Sequence, residues 1–122
     1  MTPDEYKALA KPKKAKYRNR KTVVDGITFD SKAEADFYSQ LRLRERLGEV
    51  DSIKLQVPHI LTVNGQLIAT YRSDFEFNDI HSKKYRVIDV KGVQTPEFKL
   101  KRKLMRACHG IEIEIIKVQR GK

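Results

Sequence analysis

Apolar and polar residues alternate along this chain in two periods, and the switches between them mark out the elements. Over residues 23–29 a short apolar run surrounds the turn pair Asp25-Gly26. Ser31 then offers a helix N-cap, with Glu34 three residues on, the spacing of a capping box. Ala33, Phe37, Tyr38, Leu41 and Leu47 recur at three- and four-residue steps, which predicts an amphipathic helix closed by Gly48 at C′. Arg42, Arg44 and Arg46 fall mostly on its opposite, wet face. The period then shortens to two. Ile53, Leu55 and Val57 alternate with Lys54 and Gln56 until Pro58 interrupts the strand. Residues 60–63 and 66–70 flank Asn64-Gly65, a strong hairpin signal. Residues 71–77 read as a continuing strand, 78–83 as a polar turn, and 85–91 as the last strand of the meander, ending at Gly92. Thr95 and Pro96 open a second helix as N-cap and first helical residue, with Phe98, Leu104, Met105 and Cys108 on its apolar side and Gly110 ending it after His109. Residues 111–118 close the chain as a strand with Glu112 and Glu114 on a polar face. The order α-β-β-β-α-β predicts a mixed α/β layer structure.

A chain of 122 residues is near the commonest domain size, so one domain is expected over residues 22–118. Residues 1–21 differ in composition. Eight basic and no acidic residues stand between Lys7 and Lys21, which predicts a flexible basic arm able to add salt-sensitive contacts to phosphates through Lys13, Lys14, Lys16, Arg18 and Arg20. Residues 119–122 are expected to be a short tail. Lys and Arg number 26 against 16 Asp and Glu, a formal charge of +10, which points to an anionic partner, most often nucleic acid. No apolar run approaches the ~20 residues of a membrane span, and the lysine-rich N-terminus lacks the apolar core of a signal peptide, so a cytoplasmic location is expected. The single Cys108 excludes an internal disulfide and a Cys-based zinc site, and His59, His81 and His109 are too scattered in sequence to read as a ligand pair.

The candidate chemistry lies in the two strands after the Asn-Gly hairpin. Alternation puts Asp74 and Glu76 on one face of the first, and Asp89 with Lys91 on one face of the second. A hairpin centred in the 78–83 turn places Asp74 opposite Asp89, and cross-strand neighbours sit ~4.5–5.5 Å apart at Cβ. Like charges that close are costly, Lys91 relieves only part of the cost, and a divalent cation would relieve the rest. Mg²⁺ takes one or two carboxylates with waters and phosphate oxygens, so these residues supply the inventory for metal-assisted phosphodiester hydrolysis. Glu34 leans toward the packed side of its helix, where its partner is either the capping box or a metal. Gln56 either adds a hydrogen bond to such a site or faces solvent. Lys99, Arg102, Lys103 and Arg106 make the second helix one-sidedly basic, suited to gripping a phosphate backbone.

"FDSKAEADFY", "LQVP", "YRSDFEF", "VIDVKG" and the basic "TPEFKLKRKL" together resemble the PD-(D/E)xK nuclease superfamily, over about residues 23–118. The likeness is nearest to small phage and prophage nucleases and to Holliday-junction resolvases of that superfamily. The resemblance implies a restriction-endonuclease-like fold, with Asp74 and Asp89 as the motif acids, Lys91 as the motif lysine, Glu34 as the helix acid and Gln56 at an accessory position. It further implies one or two Mg²⁺ or Mn²⁺ ions held by Asp74, Asp89, the Val90 carbonyl and Glu34, with Lys91 orienting the attacking water. Ser73 stands where the motif has proline, and Glu76 is an extra acid that could share or replace a ligand role. The activity so implied is a DNA endonuclease. Small size and a basic arm suit recognition of branched DNA by shape, and paired cuts across a junction call for a homodimer. The alternatives are a sequence-specific nicking or transposase-like endonuclease subunit, a non-catalytic nucleic-acid-binding module, and a nuclease-like protein acting through protein contacts.

Overall fold

The computed structural model describes residues 21–118, so the expected basic arm (apart from Lys21) and the 119–122 tail lie outside the described residues. The chain divides into two compact units, one ending at Ser39 and the other beginning at Gln40.

In the first unit, β1 (Thr22–Val24) and β2 (Ile27–Phe29) pair antiparallel. Asp25 at φ 53° and Gly26 at φ 75° make the left-handed turn that this pairing needs. Helix α1 (Lys32–Arg46) starts here. Ser31 Oγ accepts the Glu34 amide at 3.1 Å, the cap that the sequence predicts. The buried residues of α1 are Ala35, Tyr38 and Leu41, whereas Ala33 and Phe37 are only half-buried. Within the first unit the Tyr38 ring lies 5.1 Å from that of Phe29. Leu47 does not join the buried stripe, because the helix has ended at Arg46 and Leu47 is 65% exposed. Gly48, at φ 76°, donates to the Glu45 carbonyl, and Glu49 donates to that of Arg44, which closes the helix in a Schellman motif.

The second unit is built on a four-stranded mixed sheet ordered β3 (Val50–Leu55), β6 (Phe75–Asp79), β7 (Lys84–Lys91) and β8 (Ile113–Lys117). The first three strands are antiparallel, and β8 lies parallel to β7 after a crossover through α2 (Pro96–His109). The chain is thus of mixed α/β class. Between β3 and β6 it makes an excursion, the hairpin of β4 (Pro58–Val63) and β5 (Gln66–Arg72) around Asn64-Gly65. Helix α2 packs on this hairpin and on the β7–β8 face, where Leu61, Tyr71, Val87, Phe98, Met105 and Ile113 form the core. Its ends are capped as its sequence predicts: Thr95 Oγ1 accepts the Phe98 amide at 3.1 Å, and Gly110 sits at φ 66°.

One expected strand does not exist as such. Residues 71–77 are split, because β5 ends at Arg72 and β6 starts only at Phe75. The chain changes sheet at Ser73-Asp74, with the Ser73 amide donating to Val57 O (3.0 Å) and the Asp74 amide to Ile88 O (3.2 Å). The β6–β7 register, Phe75 opposite Ile88 and Glu76 opposite Val87, nevertheless continues by one residue to set Asp74 opposite Asp89. The β3 strand also starts and ends earlier than predicted, with a bulge between Asp51 and Lys54 and left-handed Ser52 and Gln56. Strand β8 begins at Ile113, so Glu112 lies before it and pairs with Arg106 instead.

Candidate active site

Strand β7 carries the central residues. Its alternation puts Val87, Asp89 and Lys91 on the face that α2 covers, and Ile88 and Val90 on the other. Asp89 is 2% exposed. Its Oδ2 accepts the hydroxyl of Tyr71, from β5, at 2.6 Å. Its Oδ1 is buried without a hydrogen-bond partner, and Lys91 Nζ stands 3.3 Å away, at ion-pair distance but outside hydrogen-bond geometry. A buried carboxylate oxygen in that state costs stability unless a donor or a cation completes it. The Lys91 ammonium also lies 4.4 Å from the centre of the Phe98 ring, held over the aromatic face of α2.

Asp74 follows the sheet change and is half-buried. Its Oδ2 accepts the Val90 amide at 2.8 Å, which fixes its carboxylate beside the residue that follows Asp89. Tyr71 reports the electrostatics of this region. Burial first, then the hydrogen bond to Asp89 and the negative charges of Asp89, Asp74 and Glu76, hold its hydroxyl protonated well above the usual tyrosine range. The three acids therefore bear on one phenol. An open cavity of about 310 Å³ adjoins it, lined among others by Tyr71, Arg72, Asp89, Lys91, Phe98 and Lys101.

Glu76 is engaged by other side chains of the fold. It is 1% exposed, and both of its oxygens are taken, Oε1 by the Tyr85 hydroxyl (2.6 Å) and Oε2 by Ser73 Oγ (2.8 Å) and His59 Nε2. Burial and the Glu76 carboxylate also keep the Tyr85 hydroxyl protonated above its ordinary range. The motif position where Ser73 replaces proline is thus used as a donor to this network. The histidines are less scattered than their sequence spacing suggests, since the His59 and His109 rings lie 6.1 Å apart, although His109 is spent on the Ile60 carbonyl.

The remaining expected site residues fall as follows. Glu34 belongs to the first unit, in the first turn of α1, where its amide serves the cap. Gln56 is exposed, in a left-handed bend outside β3, and its amide donates to Asp74 O at 3.2 Å. Val90 is buried on the far face, its amide given to Asp74. On α2, Lys99 and Lys103 are exposed, Arg102 is half-buried, and Arg106 is paired with Glu112. Lys13, Lys14, Lys16, Arg18 and Arg20 lie outside the described residues. No local signal in the sequence marks Tyr71, Arg72 and Lys101 for the cavity, because strand and helix spacing alone does not bring β5 and α2 to Asp89.

The arrangement is tested against a divalent cation by its orphaned atom. Asp89 Oδ1 is a buried anionic acceptor with no donor, next to a second carboxylate, which fits a hard cation. Among the described residues, no group of three or more His, Cys, Asp or Glu is placed to hold a metal. Mg²⁺ needs no such group, since it is commonly held by one or two carboxylates with waters and phosphate oxygens. Among the same residues, no helix is long and apolar enough to cross a membrane.

Residues 14–120 match the model of a family described as a protein of unknown function (DUF1064). No curated protein and no solved structure matches the chain.

Proposed function

For this chain, a member of the DUF1064 family, we propose the function of a Mg²⁺- or Mn²⁺-dependent DNA endonuclease. The observation that carries the reading is Asp89: a buried carboxylate with one oxygen fixed by Tyr71 and the other lacking any donor, beside Lys91 and at a cavity open to solvent. Asp89 and Asp74 are the residues that would hold the ion. When bound, the ion supplies charge neutralisation at the scissile phosphate and a more acidic water.

The chain's own residues supply the rest. Tyr71 fixes Asp89 Oδ2, while Oδ1 is left without a donor. The Val90 amide fixes Asp74 Oδ2. Lys91, held between Phe98 and Asp89, orients the attacking water and balances charge on the phosphate. Arg72 lines the cavity as a counter-charge for an incoming strand, whereas Lys101, in the same lining, is paired with Glu97. Branched DNA of the Holliday type is the proposed substrate, and two coordinated cuts on it would require a homodimer.

The test is a panel of duplex, flap, four-way-junction and single-stranded substrates with Mg²⁺ or Mn²⁺, comparing the wild type with Asp89→Ala and Lys91→Ala. Both variants are expected to keep salt-dependent binding and to lose cleavage. Cleavage by Asp89→Ala at the wild-type rate would refute the enzyme. Binding without cleavage by the wild type on every substrate would favour a non-catalytic nucleic-acid module.

A further inference from the structure

A second cleft opens on the other side of Lys91. Its volume is about 420 Å³, and its lining is Lys91, Gly92, Gln94, Lys99, Ile115 and Lys117, which includes three ammonium groups and no carboxylate. Among the described residues six Lys and Arg side chains form ion pairs, Lys91 with Asp89 and Arg42 with Glu45 among them. Arg86 pairs with Asp79 and Glu114, Arg44 with Glu49 and Asp79, Arg106 with Glu112, and Lys101 with Glu97. Among the described residues, neither Lys99 nor Lys117 forms an ion pair.

The cationic cluster is imposed by the fold. Lys91 and Lys117 are register partners at the ends of the parallel strands β7 and β8, so their side chains leave the sheet on the same face. Like charges on neighbouring strands destabilise a sheet. Lys99, in the first turns of α2, brings a third charge to the same cleft. An anion among the three would remove the repulsion. Gln94 adds an amide donor, and Gly92 has no other atoms within 4 Å of where a Cβ would stand, so the backbone there can be approached closely.

We propose that this cleft is a cradle for a backbone phosphate of a nucleic-acid strand. It adjoins the Asp89 cavity through their shared residue Lys91, so a strand that presents one phosphate to Asp89 and Lys91 lays a neighbouring phosphate among Lys99, Lys117 and Gln94. The inference deepens the endonuclease reading by assigning a substrate subsite. It is nonetheless tested without cleavage, so its failure and that of the enzyme are separate results.

Equilibrium binding to a short DNA duplex is measured in EDTA over a salt series, for wild type, Lys117→Gln, Lys99→Gln, Lys117→Arg and the control Lys84→Gln, which removes a charge from the opposite end of β7. Removing one lysine–phosphate interaction lowers the slope of log affinity against log salt by ~0.9. Lys117→Gln and Lys99→Gln are each expected to bind more weakly with that slope change, a handicap shrinking about threefold from 50 to 200 mM salt. Lys117→Arg should bind as wild type does, and circular dichroism should show all variants folded. Unchanged affinity and slope in both glutamine variants would overturn the cradle, as would an equal loss in Lys84→Gln, which would mean diffuse attraction. Replacing part of the chloride by inorganic phosphate at constant ionic strength should not displace the DNA. Preferential displacement would mean a free-phosphate site and would overturn the assignment to a strand.

Discussion

Tyr71→Phe isolates the contact on which the site is arranged. The substitution removes one oxygen and leaves the ring in place, 6.3 Å from both the His59 and the Phe98 rings, so it opens no sizeable cavity. It deletes the 2.6 Å hydrogen bond to Asp89 Oδ2, between groups 3% and 2% exposed. A hydrogen bond to a charged group contributes ~1.5–3 kcal/mol, and here neither Asp89 oxygen would retain a hydrogen-bond donor. A loss of about 2 kcal/mol lowers the urea midpoint by roughly 1–2 M with unchanged slope, and Tm by about 8–16 °C in a domain of this size. The variant should also differ in its alkaline limb. The Tyr71 pKa is raised above its ordinary 10.0 by burial, by the bond to Asp89 and by nearby negative charge. That stability is full below pH 10.0 and lost as pH rises beyond it, a component that Tyr71→Phe lacks. If Asp89 works as proposed, cleavage falls roughly 10–100-fold, as when other groups that orient a metal ligand are removed, while DNA affinity in EDTA stays the same. Urea unfolding followed by circular dichroism decides the first point: a midpoint within error of the wild type would refute the claim that Tyr71 holds Asp89.

Two further perturbations probe the scaffold. Glu76→Ala strips Tyr85, Ser73 and His59 of their shared acceptor, and a cost of about 3–5 kcal/mol is expected by urea unfolding, with a loss under about 1 kcal/mol counting against a structural role for the network. Asp79 has its carboxyl held below the ordinary 3.8 by the Ser82 amide first, then by Arg86 and Arg44, so its stabilisation is present above pH 3.8 and lost as pH falls below. Asp79→Asn should therefore be less stable than the wild type at neutral pH, with the difference closing under acid in a pH series of thermal melts.

Local signals of this fold are legible in the sequence. Ser31, Thr95, Gly48 and Gly110 cap the two helices as their types and spacing predict, Asn64-Gly65 turns a hairpin, and the β6–β7 register matches the centre placed in the polar turn. The sheet change at Ser73-Asp74 is hidden because Tyr71, Ser73, Phe75 and Phe77 are all buried, so the period-two pattern runs straight through the break. Ser73 is tolerated inside because Val57 and Glu76 take up its polar groups. The contacts that make Asp89 and Glu76 differ in role are long-range. Tyr71 reaches Asp89 across 18 residues and His59 reaches Glu76 across 17, so no local periodicity distinguishes the two acids. Leu47 and Ala33 fail as core positions for a simpler reason: the helix stops one residue short of the first, and the buried stripe passes through Ala35 rather than the second.

The excursion between β3 and β6 is stitched shut at its base, where Gln56 donates to Asp74 O and Ser73 donates to Val57 O. Its far end, residues 63–66, is exposed on every residue. A chain pinned at the root and exposed at the apex can be lengthened at the apex without dragging Asp74 away from Asp89. Asn64-Gly65 is therefore the natural splice point for a tag or reporter.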